Sequence, residues 1–284
     1  MTRSSTAVRP VALPAGEAVP VLGQGTWGMG EHRKRRAEEI AALRAGLDLG
    51  MTLIDTAEMY GDGGAEEVVG EAIAGRRADV FLVSKVLPHH ATRRGTVAAC
   101  HASLKRLRTE RLDLYLLHWR ERVPLAETLE AFETLTRSGD IRYWGVSNFD
   151  TADMKEIVGL PGGTGVATNQ VLYNLARRGI EFDLRPWCRE RQIPIMAYSP
   201  IEQGRLLENA AVQRFALRRK ATAAQVALAW VLKQEGVLAI PKSSHLDHVR
   251  QNRATLDIHL TREDLNELNH EFPPPAKKMP LEMI

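Results

Sequence analysis

The stretch Leu53-Ile54-Asp55-Thr56-Ala57-Glu58-Met59-Tyr60-Gly61-Asp62-Gly63 decides how the rest of the chain is interpreted. Residues 51–54 form a short apolar and β-branched run, which is typical of a fully buried strand. Asp55 therefore stands where this strand ends. Tyr60 follows in a loop whose glycines indicate a turn before a helix. A carboxylate and a phenol are thus predicted to share one strand-to-helix corner.

Two later strands end on further polar side chains. The apolar run 80–86 carries Lys85 near its end, and the run 112–119 carries His118. If these strands are parallel neighbours of the first, their carboxyl ends meet on one face of the fold. The lysine and the histidine then join the carboxylate and the phenol of the first corner.

These four side chains predict a proton donor for carbonyl reduction. A free tyrosine has a pKa near ~10, so it is a poor acid at neutral pH unless something favours the phenolate. An ammonium about 4 Å away, which Lys85 could supply, contributes up to roughly 4 kcal/mol at an effective dielectric of ~20. Asp55 is expected to keep this lysine charged. His118 is expected to hydrogen-bond the substrate oxygen and to share the proton.

Strand-like and helix-like runs alternate along the whole chain. The predicted strands span residues 25–27, 52–55, 80–85, 112–117, 141–147, 166–170, 193–199 and 237–240. Eight such units close into a (β/α)8 TIM barrel, an α/β fold whose active site lies at the carboxyl ends of the strands. An N-terminal hairpin at residues 10–22 and an extra C-terminal helix at residues 262–270 complete a single barrel domain over residues 1–284.

Composition and charge narrow the class of protein. The 284 residues carry a net charge of +3, which gives no sign of a nucleic-acid footprint. The first nine residues lack the apolar core of a signal peptide, and no run is apolar enough to cross a bilayer. Cys100 and Cys188 are too few for a disulfide scaffold, which favours a reducing cytoplasm. The histidines show no metal-ligand spacing, so no metal is expected.

The glycine run Gly23-Gln24-Gly25-Thr26-Trp27-Gly28 offers an alternative fold. It matches the dinucleotide pattern of a doubly wound dehydrogenase, in which the glycines pass directly from a strand into a helix. Residues 29–36 intervene here, and the alternative leaves Lys85 and His118 without a role. We therefore interpret the match as a coincidence.

Other predicted strand ends carry further polar and aromatic groups. Ser147, Asn148 and Gln170 offer a hydroxyl and amides for a carboxamide, and Tyr198 offers an aromatic face for a flat ring. Asn148 has a structural alternative as the cap of the next helix. The run Lys242-Ser243-Ser244 precedes a helix and could hold a phosphate, although it could equally be an ordinary N-cap. Their shared position on one rim favours the functional interpretation.

Six motifs, in order along the chain, resemble the signatures of the aldo-keto reductase superfamily. They are Asp55-Thr56-Ala57-Glu58-Met59-Tyr60-Gly61, Val83-Ser84-Lys85, Asp113-Leu114-Tyr115-Leu116-Leu117-His118-Trp119, Gly145-Val146-Ser147-Asn148-Phe149, Ala197-Tyr198-Ser199-Pro200 and Ile240-Pro241-Lys242-Ser243. The resemblance covers essentially the whole chain. It is strongest to short bacterial members that reduce methylglyoxal and similar small aldehydes.

The resemblance implies an NADPH-dependent oxidoreductase that reduces aldehydes and ketones, including methylglyoxal and aromatic aldehydes, to alcohols. Hydride would come from the nicotinamide C4, and Asp55, Tyr60, Lys85 and His118 would form a tetrad with Tyr60 as the general acid. The implied cofactor site comprises Gly25, Thr26, Trp27, Asp55, Ser147, Asn148, Gln170, Tyr198, Ser199, Pro200, Lys242, Ser243, Ser244, His248 and Asn252. The implied substrate pocket comprises Trp27, Met59, Tyr60, His118 and Trp119.

Three departures from the family pattern carry expectations of their own. His248 stands where the family often has an arginine, so a weaker clamp on the 2′-phosphate is expected and NADH is possible as a weaker cofactor. The loop at residues 201–206 is short, which predicts an incomplete clasp over the pyrophosphate. The tail after Phe272 is brief, which predicts an open pocket.

Two expectations concern how the protein works. One is a cytoplasmic monomer that acts on a small-molecule carbonyl substrate, with no nucleic-acid or membrane partner. The alternative, from another class, is a non-catalytic NADPH-binding sensor or scaffold protein on the same fold. The intact tetrad argues against the sensor.

Overall fold

The structure is a computed structural model, and it describes residues 8–284. The chain enters through an antiparallel hairpin of β1 (Pro10–Ala12) and β2 (Ala18–Pro20), as predicted. Leu13 and Val19 of this hairpin are buried against the apolar side chains that fill the interior of the barrel. The hairpin therefore covers the end of the barrel opposite the predicted site.

Eight parallel strands follow, and each one pairs with the next in chain order. They are β3 (Gln24–Gly25), β4 (Leu53–Asp55), β5 (Phe81–Val86), β6 (Leu112–Leu117), β7 (Ile141–Ser147), β8 (Val166–Leu172), β9 (Ile195–Tyr198) and β10 (Val237–Ala239). Backbone hydrogen bonds from Gly23 to Ala239, at 2.9 Å, and from Gly25 to Pro241, at 3.1 Å, close the sheet. The predicted (β/α)8 barrel is confirmed.

Helices surround this barrel, and their order matches the predicted alternation. They are α1 (Arg36–Asp48), α2 (Gly64–Ala72), α3 (Arg93–Leu107), α4 (Leu125–Ser138), α5 (Thr151–Gly159), α6 (Leu184–Glu190), α7 (Ala210–Arg218), α8 (Ala223–Lys233), α9 (Leu246–Ala254) and α10 (Arg262–Glu271). Within residues 8–284, none of the helices is long and apolar enough to cross a membrane.

The first barrel strand was predicted at residues 25–27, but it spans Gln24–Gly25. The chain leaves the sheet after Gly25, because the Thr26 hydroxyl donates to the Asp55 carbonyl at 2.9 Å and Met29 N donates to Thr26 O. This turn carries Trp27 out of the sheet, where it is 56% exposed. The glycine run is therefore a strand end and a loop, and the doubly wound alternative is wrong.

The apolar core has two layers, one inside the barrel and one between the strands and the helices. Parallel strands that are covered on both faces have to be apolar on both faces. This explains why β5 and β6 are apolar and fully buried along their length, with Asp113, Ser84 and Lys85 as the polar exceptions. Cys100 and Cys188 are buried free thiols in the outer layer.

Candidate active site

The predicted site is an open cleft of about 420 Å³ at the carboxyl ends of the strands. Its walls include Gly25, Thr26, Trp27, Gly28, Asp55, Met59, Tyr60, His118, Trp119, Ser147, Asn148, Gln170, Tyr198, Ser199, Pro200, Ile201, Gln203, Gly204, Ile240, Lys242, Met283 and Ile284. The fold thus brings most of the predicted cofactor and substrate residues to one cavity. Lys85 lies beneath its floor and is fully buried.

The Lys85 ammonium is the centre of the hydrogen-bond network under the cleft. Its Nζ lies 2.7 Å from Asp55 Oδ2, 2.8 Å from Thr56 O and 3.2 Å from Tyr60 Oη. An ammonium has three hydrogens and no acceptor. Because all three are directed to oxygens, the hydroxyl hydrogen of Tyr60 is left to point elsewhere, and the cleft is the space beside it.

Asp55 is held on both of its carboxylate oxygens. Lys85 donates to Oδ2, and Gln170 Nε2 donates to Oδ1 at 2.7 Å. Burial raises the pKa of Asp55, while the charge of Lys85 opposes this rise. Burial likewise lowers the pKa of Lys85, and Asp55 opposes that change. Each charge therefore depends on the other, as is usual for a buried pair.

The pKa of Tyr60 lies well above its ordinary value, first because its hydroxyl is buried and second because Asp55 is negatively charged. The pKa of Tyr60 is therefore raised and not lowered as expected, because burial disfavours the phenolate more than the lysine favours it. The phenol is consequently protonated at neutral pH. Such a group can donate a proton, and the hydrogen bond from Lys85 lies where negative charge would then develop.

His118 is buried and its imidazole is neutral. Burial lowers its pKa to about 2, and the charge of Lys85 adds to the effect. Its Nδ1 is buried without a hydrogen-bond partner. Since orphaned N–H groups are rarer than orphaned acceptors, the proton is best placed on Nε2. In this neutral form His118 can donate a hydrogen bond from Nε2 to an oxygen in the cleft.

The predicted carboxamide group forms one network beside the tetrad. Asn148 has a φ of 58°, and its Nδ2 donates to His118 O at 3.1 Å and to Ser147 Oγ at 3.2 Å. Tyr198 Oη donates to Asn148 Oδ1 at 3.0 Å. The structural alternative for Asn148 is wrong, because Asp150 caps α5 in its place. These amide and hydroxyl groups line the cleft, as expected for a site that holds a carboxamide.

The predicted phosphate end is built around the start of α9. Lys242 lines the cleft, and burial lowers its pKa, with the nearby charge of Arg35 adding to this. His245 is the N-cap residue and makes no side-chain capping bond, while Ser243 Oγ accepts from its N–H at 3.1 Å. The Ser244 hydroxyl is buried without a partner. Free donors at a helix start suit an anion.

Four predicted cofactor residues do not reach the wall of the cleft. They are Ser243, Ser244, His248 and Asn252. His248 is exposed on α9, with its ring 5.4 Å from that of His245. Arg120, which follows Trp119 in the chain, is paired with Asp153 at 2.8 Å and Glu156 at 2.6 Å.

The substrate end has apolar walls, and the tail contributes to them. Trp27 and Met59 are 56% and 39% exposed in the cleft. Met283 and Ile284 also line it, and the backbone of Ile284 hydrogen-bonds the Tyr198 hydroxyl. The tail therefore forms part of one wall of this open cleft. Sequence reasoning missed these two tail residues, because no local pattern says where a tail without regular structure will return.

The fold and the cleft geometry can be compared with known proteins. The model of the aldo/keto reductase family matches residues 21–270, which is most of the chain. This chain belongs to the aldo/keto reductase family. The family predicted from the six motifs is confirmed, and so is the oxidoreductase class that it implied.

Individual aldo/keto reductases are similar over nearly their full length. The chain is 54% identical to methylglyoxal reductase YeaE of Escherichia coli (strain K12), over 94% of this chain and 96% of that protein. It is 33% identical to glyoxal reductase of Bacillus subtilis (strain 168), over 91% of each. The crystal structure of an aldo/keto reductase from Klebsiella pneumoniae in complex with NADP and acetate has a TM-score of 0.95 and 53% identity, covering 98% of this chain and 100% of that chain.

Proposed function

We propose that this aldo/keto reductase uses NADPH to reduce methylglyoxal and other small aldehydes to alcohols, with Tyr60 as the proton donor. The observation that carries the proposal is the network around Lys85. Its three hydrogens are directed to Asp55, Thr56 and Tyr60, so the hydroxyl hydrogen of Tyr60 is available to the cleft. The names of the relatives support the choice of substrate.

The cleft fits a nicotinamide dinucleotide. Ser147, Asn148 and Gln170 would hold the carboxamide, and Tyr198 would lie against the ring. Lys242 would meet phosphate where the cleft reaches the start of α9. The bound cofactor supplies the hydride that the carbonyl carbon receives.

The residues of the chain would supply the proton and the orientation. The neutral His118 donates a hydrogen bond from Nε2 to the carbonyl oxygen and places it near Tyr60. As the carbonyl carbon gains hydride, the oxygen takes the Tyr60 proton and the product is an alcohol. Lys85 donates to the resulting phenolate oxygen, which offsets the cost of charge in a buried site.

The apolar walls predict broad rather than selective recognition. Trp27, Met59 and Trp119 offer surface but few polar partners for a substrate. An apolar pocket discriminates by only about 1 to 3 kcal/mol per methylene. Small aldehydes of different side chain, including aromatic ones, should therefore be accepted with modest differences in kcat/KM.

The proposal extends to the cofactor preference and the setting. Lys242 favours NADPH over NADH, with NADH as a weaker cofactor because His248 replaces an arginine. We expect a single-domain monomer in the cytoplasm that acts on small-molecule carbonyls. The buried free thiols Cys100 and Cys188 are consistent with a reducing compartment.

The test follows NADPH absorbance with methylglyoxal and a nitrobenzaldehyde, for the wild type and for Tyr60→Phe. The variant is expected to lose about 10² to 10⁴-fold in turnover while it keeps its affinity for NADPH, because only the transferable proton is removed. Full activity in Tyr60→Phe would refute the assigned role. NADPH binding without turnover of any aldehyde in the wild type would favour the sensor or scaffold alternative.

A further inference from the structure

Glu66 is a buried carboxylate that the proposed mechanism does not use. It lies in the first turn of α2, and its side chain has no exposure to solvent. Ser84 Oγ donates to its Oε1 at 2.5 Å, and Arg106 Nε donates to its Oε2 at 2.6 Å. Burying a carboxylate is costly even when it is paired in this way. The positions of its two partners indicate a role for this buried carboxylate.

Glu66 stands between the two segments that carry Lys85 and Tyr60. Ser84 directly precedes Lys85 in β5, and successive strand residues point to opposite faces. Ser84 therefore meets α2 while Lys85 faces the barrel interior. On the other side, the N–H of Ala65, which adjoins Glu66, donates to Tyr60 O at 3.1 Å. One hydrogen bond on each side thus connects the lysine strand to the tyrosine loop.

Arg106 fixes this connection from α3. Its guanidinium also donates to Ser103 Oγ at 3.2 Å, so its orientation is set by two partners. It packs on Gly63, where a Cβ would come within 2.6 Å of the Arg106 Cδ and φ is 86°. The end of the loop that carries Tyr60 is therefore pressed against the side chain that holds Glu66.

Two carboxylates support Lys85 from opposite sides of β5. Asp55 reaches it from inside the barrel, and Glu66 acts from the helix side. Burial lowers the pKa of Lys85, Asp55 raises it, and the charge of Glu66 raises it further. The other titratable groups around these side chains are Tyr60 and His118 at the lysine, and Arg106, Cys100 and Tyr115 at Glu66.

We propose that Glu66 is a positioning residue for the reduction, which holds the strand of Lys85 and the loop of Tyr60 at the separation that proton transfer requires. This inference rests on the proposed function, because it assigns Glu66 to that reaction. Glu66 touches neither the cleft nor the four tetrad side chains directly. It acts through Ser84 and through the start of α2.

The test compares Glu66→Gln with Glu67→Gln. Glu67 lies in the same helical turn, but it is half exposed and meets Arg36 Nη1 at 3.4 Å. Glu66→Gln should lower kcat roughly tenfold or more, since a displacement of about 1 Å can cost up to 10²-fold. KM and NADPH affinity should stay within about twofold, and Glu67→Gln should match the wild type in all of these.

The pH profile separates positioning from simple stability. Without Glu66 the pKa of Lys85 falls further, so the lysine loses its proton at a lower pH. The alkaline limb of kcat should therefore move to lower pH in Glu66→Gln, and a loss of fold stability alone would leave it in place. Ser84→Ala, which keeps the Glu66–Arg106 pair, should lower kcat in the same direction if Glu66→Gln does not fold.

An unchanged kcat and pH profile in both Glu66→Gln and Ser84→Ala would overturn the inference, as would an equal loss in Glu67→Gln. Absence of turnover in the wild type would instead refute the proposed function. The ¹⁵Nζ resonance of Lys85, identified with Lys85→Met, needs no turnover. A change in its titration in Glu66→Gln but not in Glu67→Gln supports the inference, and identical titration in both contradicts it.

Discussion

Burial changes the proton affinities of two residues in this site in opposite directions. Tyr60 keeps its proton because burial raises its pKa, and His118 stays unprotonated because burial lowers its pKa to about 2. Burial therefore keeps both side chains neutral and able to donate a hydrogen bond. A buried phenol can give up its proton only if the negative charge left on its oxygen is stabilised, here by the neighbouring ammonium. The distance of 3.2 Å from Lys85 Nζ to Tyr60 Oη meets this requirement.

The neutral state of His118 predicts how stability depends on pH. The unfolded chain protonates this histidine near pH 6.5, while the folded chain does so only near its pKa of about 2. The unfolded state therefore binds more protons between these values, and stability falls as pH drops below 6.5. The slope from this one group is at most about 1.4 kcal/mol per pH unit.

Urea denaturation of wild type, His118→Gln and the exposed control His259→Gln at pH 7 and pH 5 measures this effect. His118→Gln should lose part of the acid sensitivity, and His259→Gln should retain all of it. An identical drop in the free energy of unfolding in all three proteins would show that His118 is not held neutral by the fold.

At the scale of elements, the loop after β9 is connected to the tail. Glu202 in this loop is buried, and it accepts hydrogen bonds from Asn174 Nδ2 at 2.7 Å and from Arg177 Nε at 3.0 Å. The Nη1 of Arg177 also donates to Glu282 Oε1 at 2.5 Å. Gln203 and Gly204 on one side, and residues 283–284 on the other, line the same cleft. The guanidinium of Arg177 therefore connects the loop after β9 to the tail, and both segments line the cleft.

Arg177→Met should weaken both sides of the cleft together. We expect the dissociation rate of NADPH and the KM for methylglyoxal to rise by about threefold to tenfold each, as when a hydrogen bond worth about 1 kcal/mol is lost. Stopped-flow release of NADPH and steady-state kinetics measure the two effects. Lys278→Met is the control, since Lys278 holds the tail to Asp183 at 3.1 Å without contacting the loop.

Lys278→Met should raise the KM for methylglyoxal and leave the dissociation rate of NADPH unchanged. If Arg177→Met also changed KM alone, the loop would not depend on this residue. The loop is short, as the sequence indicated, yet it contributes Ile201, Gln203 and Gly204 to the cleft.

At the scale of the whole molecule, cofactor binding should stabilise the barrel as a unit. A ligand at about 100 times its Kd adds roughly 2.7 kcal/mol to the free energy of unfolding, which for a protein of this size is about 5 to 10 °C in Tm. Thermal unfolding with NADPH should show this shift, and NADH at equal concentration should give less. His248→Arg should widen the difference. Equal shifts from both cofactors in both proteins would exclude a role for the 2′-phosphate.

The sequence by itself determined the alternation of strands and helices, the barrel and the set of side chains at the strand ends. These features depend on local patterns: apolar runs of strand length, glycine turns and helical spacing. A polar residue at the carboxyl end of a buried parallel strand lies on the face of the barrel where all the strands end. The sequence alone therefore predicts the positions of four site residues, Asp55, Lys85, Ser147 and Gln170.

Only the tertiary structure decided which atoms meet and what burial does to them. Gln170 and Asp55 are 115 residues apart in sequence, and no local pattern specifies that one should donate to the other. The raised pKa of Tyr60 and the return of the tail to the cleft depend on how completely distant segments exclude water. Burial and long-range contacts are properties of the packed whole, which is why local patterns predicted the residues of the site but not their charge states.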